Sequence, residues 1–150
     1  MPQITIRLAT PSDFDDVCAM AHALAAHHGD KATLTIADLH RDFGPERPWG
    51  ILLVAGINDT LAGYAALCPM MQLQFGVRGM DMHHLFVKPQ HRGLGVAKAL
   101  ITASISEARE KDCRFLTVGT HPDNVKAQQI YLAAGFVQRP TSGPRFSLRW

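Results

Sequence analysis

The chain has 150 residues, 47% of them apolar and 19% charged, with a formal net charge of +2 when histidines are neutral. That length suits one domain, 1–150, with a core of its own; the near-neutral balance and scattered basic residues argue against a nucleic-acid partner. No apolar run approaches the ~20 residues that span a bilayer, so no membrane partner is expected.

Cys18, Cys68 and Cys113 form neither a zinc-type C-x-x-C spacing nor a disulfide framework. A reduced cytoplasmic setting is the simplest reading, and no metal is expected. "MPQITIRLATPSDFDD" lacks a basic segment followed by an apolar one, so no signal peptide is expected.

Residues 4–9 alternate and read as a first strand. Ser12 is a candidate N-cap for a helix whose first turn carries Asp13, Asp15 and Asp16, with Gly29 as its stop. Thr35 followed by Asp38 fits a capping box opening a second helix to Phe43. "WGILLVAGI" and "LAGYAALCP" flank the turn signal "NDT" and predict an antiparallel hairpin. Residues 70–79 read as a loop or ragged strand end, 80–87 as a strand, and the stretch from Gly95 as a helix covering a sheet. A strand at 114–119, a helix from Asn124 to the stop at Gly135, and closing strands at "FV" and "RFSLRW" complete the pattern. The order implies an α/β (α+β) mixed sheet, antiparallel early and parallel around the βαβ unit, with flanking helices.

"HLFVKPQHRGLGVAKAL" places two glycines and an arginine where a strand hands over to a helix. One reading is a tight turn. The other is an anion cradle, since a helix N-terminus carries free N–H groups and about half a positive charge, and glycine lets an anion approach them.

This stretch resembles the acetyl-CoA-binding motif R/Q-x-x-G-x-G/A of the GNAT N-acetyltransferases, met by Arg92, Gly95 and Ala97. "TVGTHPDNVKAQQIYLAAGF" is similar to the family's later motif, with Asn124, Ala127, Tyr131, Gly135 and Phe136 in its positions. The chain is loosely similar to the diamine acetyltransferase branch through "TLTIADLHRDFG". The resemblance implies the GNAT fold: a central twisted, mostly antiparallel sheet in which a bulged strand 80–87 splays from the parallel strand 114–119.

It also implies acetyl-CoA as cosubstrate. The amides of Arg92, Gly93, Leu94, Gly95, Val96 and Ala97 would hold its pyrophosphate. Leu85, Phe86 and Val87 would pair with its pantetheine arm as another strand would, and an unpaired amide around Phe86 would stabilise a developing oxyanion. Asn124 and Lys126 would add cosubstrate contacts, although Asn124 serves equally as a helix cap. Tyr131 would protonate the departing thiolate. His83 would deprotonate the incoming ammonium; strand alternation allows only one of His83 and His84 to face a given cleft. His27, His28 and His84 would line the acceptor site, with Phe43, Trp49, Met70, Met71 and Phe75 as an apolar wall.

The acceptor implied is a primary amine on a small molecule. Asp81 is the one acid near His83 and His84, which argues against polyamines. The alternatives are a lysine or N-terminal protein acetyltransferase and a non-catalytic acyl-CoA-binding module. Homodimers are common in the family, and "RPTSGPRFSLRW" offers a segment that could pair across a two-fold.

Overall fold

The computed structural model describes residues 2–141 and 143–150; Met1 of the N-terminal stretch and Ser142 of the late segment lie outside them. Residues 1–119 and 120–150 form two units and are taken in turn.

The first unit holds a five-stranded sheet in chain order: β1 (Thr5–Leu8), β2 (Ile51–Ile57), β3 (Thr60–Gln72), β4 (Val77–Val87) and β5 (Cys113–Val118). All neighbours are antiparallel except β4 and β5, the pair joined through the crossover helix α3 (Val96–Glu110). The predicted β2–β3 hairpin turns at Asn58 and Asp59, with φ of 49° and 63°. Two positive φ values give a turn whose twist matches its strands, and Asn and Asp tolerate that backbone better than most residues.

Helix α1 (Phe14–His27) begins after a 3-10 turn at Pro11–Asp13 that Thr10, not Ser12, precedes as cap. The reason is Asp13. It is buried, accepts the Thr10 N–H at 2.8 Å, and takes both Arg7 guanidinium nitrogens at 2.7 and 2.9 Å. Ser12 instead shares a hydroxyl contact with Thr10 at 2.8 Å. Helix α2 (Ile36–Phe43) follows its predicted capping box, Thr35 accepting the Asp38 N–H and Asp38 the Thr35 N–H.

The two helices cover one face of the sheet. Phe14, Val17 and Met20 of α1 and Leu39 of α2 pack with Leu52, Val54, Tyr64, Ala66 and Phe86. Helix α3 packs across β2 to β5, burying Val96, Leu100, Ile101 and Ala108. Its buried Ser104 hydroxyl donates to the Leu100 carbonyl at 2.7 Å, which satisfies it locally.

Residues 70–79 are largely paired strand rather than loop. Met71 opposes Arg78 and Gln72 opposes Val77 around a 3-10 turn at Leu73–Phe75, closed by Gly76 at φ 64°. Residues 69–72 are exposed, so no apolar alternation marked this end in the sequence.

In the second unit, α4 (Val125–Ala133) ends before Gly135 at φ 98°. The predicted closing strands at 136–137 and 145–150 do not form among the described residues. Phe146, Leu148 and Trp150 are 92%, 84% and 106% exposed: their alternation has no neighbouring backbone to ladder with, and alternation alone does not make a strand. No described helix is long and apolar enough to cross a membrane.

Candidate active site

The turn between β4 and α3 is built by backbone geometry. Gly93 and Gly95 have φ of 77° and 89°, and a Cβ at either would meet no atom within 4 Å. The glycines therefore serve an unusual backbone, not a tight fit. No backbone bond among the described residues engages the N–H groups of Gly93, Leu94 and Gly95. The first N–H groups of α3 continue the row, as at any helix start. Arg92 is fixed beside them, its Nε donating to the Val87 carbonyl at 3.1 Å. Unengaged amides at the positive end of a 15-residue helix suit a phosphate-bearing ligand.

The row continues along β4. Pairing with β5 covers only Arg78 to Met82, ending where Met82 meets Val118. From His84 to Val87 the strand keeps its β3 partner, and from His83 onward it has none on the β5 side. Leu85, Phe86 and Val87 therefore present an open backbone edge leading into the glycine turn, the place where an extended ligand adds as a strand does. The Phe86 side chain is buried toward α1, with its ring 6.1 Å from that of Tyr64. Beside it, Asp16, Met20 and Ala23 of α1 with Phe86, Lys88 and Pro89 line a groove of about 170 Å3.

The bulge in β4 falls at His83. Ala66 opposes His84 while Leu67 opposes Met82, which leaves His83 as the extra residue. This corrects the alternation argument, because a bulge resets the pleat. The two imidazoles stack instead, 4.6 Å apart and 11° from parallel. Sequence alternation could not reveal an extra residue of this kind.

The partner of His84 is equally invisible in sequence. Its Nδ1 lies 3.0 Å from the hydroxyl of Tyr64, a 2%-exposed residue on β3. The register that sets Tyr64 against Phe86 and Ala66 against His84 is the signal that would have found it. Burial holds the Tyr64 phenol well above its usual range, so it stays protonated. Burial lowers the His84 pKa, with smaller contributions from His83 and His28, so the ring is neutral at pH 7.

His27 and His28, at the exposed end of α1, stand edge to face at 5.5 Å. Across from β4, Thr117 of β5 donates to Asp81 at 2.7 Å and reaches the Met70 sulfur at 3.7 Å. The Cys68 thiol is pushed up by burial and then by Asp81 and Asp42, which makes it a poor nucleophile. Of the expected apolar wall, Trp49, Met71 and Phe75 are exposed at 78%, 71% and 69%, whereas Phe43 packs against the core. Among the described residues no group of three or more His, Cys, Asp or Glu is placed to hold a metal.

In the second unit, Asn124 caps α4, its Oδ1 accepting the Ala127 N–H at 3.1 Å. Lys126 is exposed on the first turn. Tyr131 stands edge-on to Phe136 at 5.9 Å, and burial raises its phenol pKa.

The model of the acetyltransferase (GNAT) family matches residues 19–136. The chain is 29% identical over 102 residues to the L-amino acid N-acyltransferase MnaT of Escherichia coli (strain K12), covering 66% of this chain and 58% of that protein. It is 26% identical over 146 residues to the mycothiol acetyltransferase of Cellulomonas flavigena, covering 91% and 41%. The chain spans about half the length of the curated relatives it matches. Among solved structures, the aminoglycoside N-acetyltransferase AAC(6')-Iy in complex with CoA superposes with a TM-score of 0.80 at 21% identity, covering 98% of this chain and 96% of that one; this likeness is one of fold. The family match covers most of the sequence, and the sheet it implies, with a parallel pair that opens beside a glycine turn, is the sheet observed: the chain belongs to the acetyltransferase (GNAT) family.

Proposed function

We propose that this chain transfers the acetyl group of acetyl-CoA to a primary amine of a small molecule, by direct attack with both substrates bound. The observation that carries this reading is the open edge of β4 from His83 to Val87, running into the unengaged amides before α3. An extended arm ending in a pyrophosphate has the chemistry to fill both. Gly93, Leu94, Gly95, Val96 and Ala97 bind the phosphates through their amides, with Arg92 beside them. Leu85, Phe86 and Val87 hold the pantetheine arm, and an unpaired amide of this segment donates to the thioester carbonyl as negative charge builds on its oxygen.

Acetyl-CoA supplies an activated acetyl group. His83, exposed on the bulge, takes the proton of the incoming ammonium so that its nitrogen can attack. The new C–N bond replaces the C–S bond; Tyr131 gives the departing sulfur a proton, and the second proton that the nitrogen sheds as it becomes an amide restores the phenol through solvent. Burial keeps that phenol protonated across the neutral range. Asn124 and Lys126 complete the cosubstrate contacts, and His27, His28 and His84 line the acceptor side. None of the three cysteines falls in the two motifs, which supports direct attack without an acyl-enzyme. Support for a small acceptor comes from the relatives, whose names specify mycothiol and L-amino acids.

Tyr131→Phe separates binding from chemistry. The variant is expected to bind acetyl-CoA calorimetrically as the parent does while losing turnover. Unchanged turnover would remove Tyr131 from the mechanism, and absent acetyl-CoA binding by the parent would overturn the whole reading.

A further inference from the structure

The buried phenol of Tyr64 fixes more than the orientation of His84. Its hydroxyl has one hydrogen-bond partner among the described residues, His84 Nδ1 at 3.0 Å. A hydrogen bond here can run in either direction, and which nitrogen carries the proton follows from counting donors rather than from seeing hydrogens. If Nδ1–H donated, the phenol proton would be left without an acceptor in a site from which water is excluded, at the full desolvation cost of a hydroxyl. If the phenol donates, every buried group is satisfied. A neutral imidazole whose Nδ1 accepts must carry its hydrogen on Nε2.

The ring then points that hydrogen away from Tyr64. His84 Nε2 has no protein partner, yet no buried side-chain nitrogen is left unsatisfied among the described residues, so Nε2 is open to solvent. The bulge sets this N–H beside the stacked ring of His83, on the same face of β4. Two neighbouring imidazoles thus have different chemistry. His84 is a donor that cannot accept a proton through its open nitrogen, whereas the exposed His83 is free to do so.

We infer that His84, positioned by Tyr64 as its Nε2–H tautomer, is a specificity-determining residue that donates a hydrogen bond to the acceptor and selects amines bearing a hydroxyl or carbonyl oxygen on the carbon next to the one carrying nitrogen. This rests on the proposed acetyl transfer, with proton removal at His83. Such an oxygen reaches the inner imidazole while the nitrogen faces the outer one. A plain alkylamine leaves the Nε2–H without an acceptor when bound, a loss that binding sites discriminate against strongly. The titratable groups that act on His84 are His83 of β4 and His28 just after α1; Asp81 lies two residues before His83 on β4, and with Asp42 of α2 it acts on Cys68 of β3.

The tautomer is read directly by 15N NMR on histidine-labelled protein. The expectation for His84 is a protonated Nε2 and a bare, hydrogen-bonded Nδ1, with that pattern lost in Tyr64→Phe. A protonated Nδ1 in the parent would overturn the inference whatever the protein catalyses. Selectivity is read as the ratio of affinities for 2-aminoethanol and propylamine, measured calorimetrically with CoA present and at matched free-amine concentration. We expect the parent to favour 2-aminoethanol about tenfold, the worth of one hydrogen bond. His84→Gln, whose amide presents an N–H at the same reach, should keep that preference, and His84→Ala should lose it. Equal affinities in the parent, or a preference that survives in His84→Ala, would refute the assignment. Neither readout depends on turnover, so a failure of the acetyl-transfer reading is seen separately.

Discussion

Replacing Gly95 tests the phosphate cradle with little confusion from folding. Its φ of 89° is costly for any residue with a Cβ, by about 1 kcal/mol. No atom lies within 4 Å of a Cβ built there, so no steric term is added. For a chain of 150 residues that cost lowers Tm by about 3 °C, and both Gly95→Ala and Gly95→Glu should fold. The Glu variant also puts a carboxylate among the amides. A charge about 6 Å from a phosphate costs about 3 kcal/mol at an effective dielectric near 20, and about 0.7 kcal/mol if the exposed turn behaves like water. Gly95→Glu is therefore expected to bind acetyl-CoA about three- to a hundredfold more weakly than Gly95→Ala in calorimetric titration. The gap between the variants should narrow in high salt, because exposed charges are screened. Indistinguishable affinities at low salt, with both proteins folded, would refute the cradle.

Other outcomes follow from the same geometry. Tyr131→Phe should reduce kcat about a hundredfold or more with cosubstrate affinity unchanged, the usual worth of a general acid; single-turnover kinetics would expose a mere binding defect. Phe14, 0% exposed at the centre of the α1–sheet core, should cost about 3–5 kcal/mol when cut to Ala, and a loss below 1 kcal/mol in urea melts would mean that the core is not where it is drawn. Asp13→Asn should destabilise by about 1 kcal/mol at pH 7, a value kept small because Arg7 is half-exposed and solvent screens the pair. Hydrogen bonding from Arg7 depresses the Asp13 pKa, so its contribution is full above the unfolded value near ~3.9 and fades as pH falls through the lower folded one. The difference between parent and variant should shrink toward pH 2; a gap that stays constant would show that charge is not its source.

Much of this was legible in the sequence because the signals were local. Thr35 and Asp38 fixed the start of α2, and Asn58 and Asp59 the first hairpin. Gly93, Gly95 and the α3 pattern located the turn between β4 and α3, where both glycines take positive φ. Errors arose where distant residues decided the outcome. Thr10 rather than Ser12 precedes the first helical turn because Arg7, from β1, draws Asp13 inward. Alternation separated His83 from His84, whereas the β3 register inserts a bulge and stacks them. Tyr64 fell inside the predicted strand "LAGYAALCP", but its hydroxyl meets His84 only when β3 and β4 are aligned. The alternating residues at 145–150 looked like a strand, yet a strand needs a neighbour that the pattern itself does not supply.

The most direct test of the central claim is the release of free CoA thiol from acetyl-CoA in the presence of amines, amino alcohols, amino sugars, amino acids, polyamines and lysine peptides. The account predicts amine-dependent release with a small, weakly charged acceptor and far less with polyamines or peptides. Acetyl-CoA binding without amine-dependent release from any member of the panel would contradict it and leave a module that holds the cosubstrate without using it.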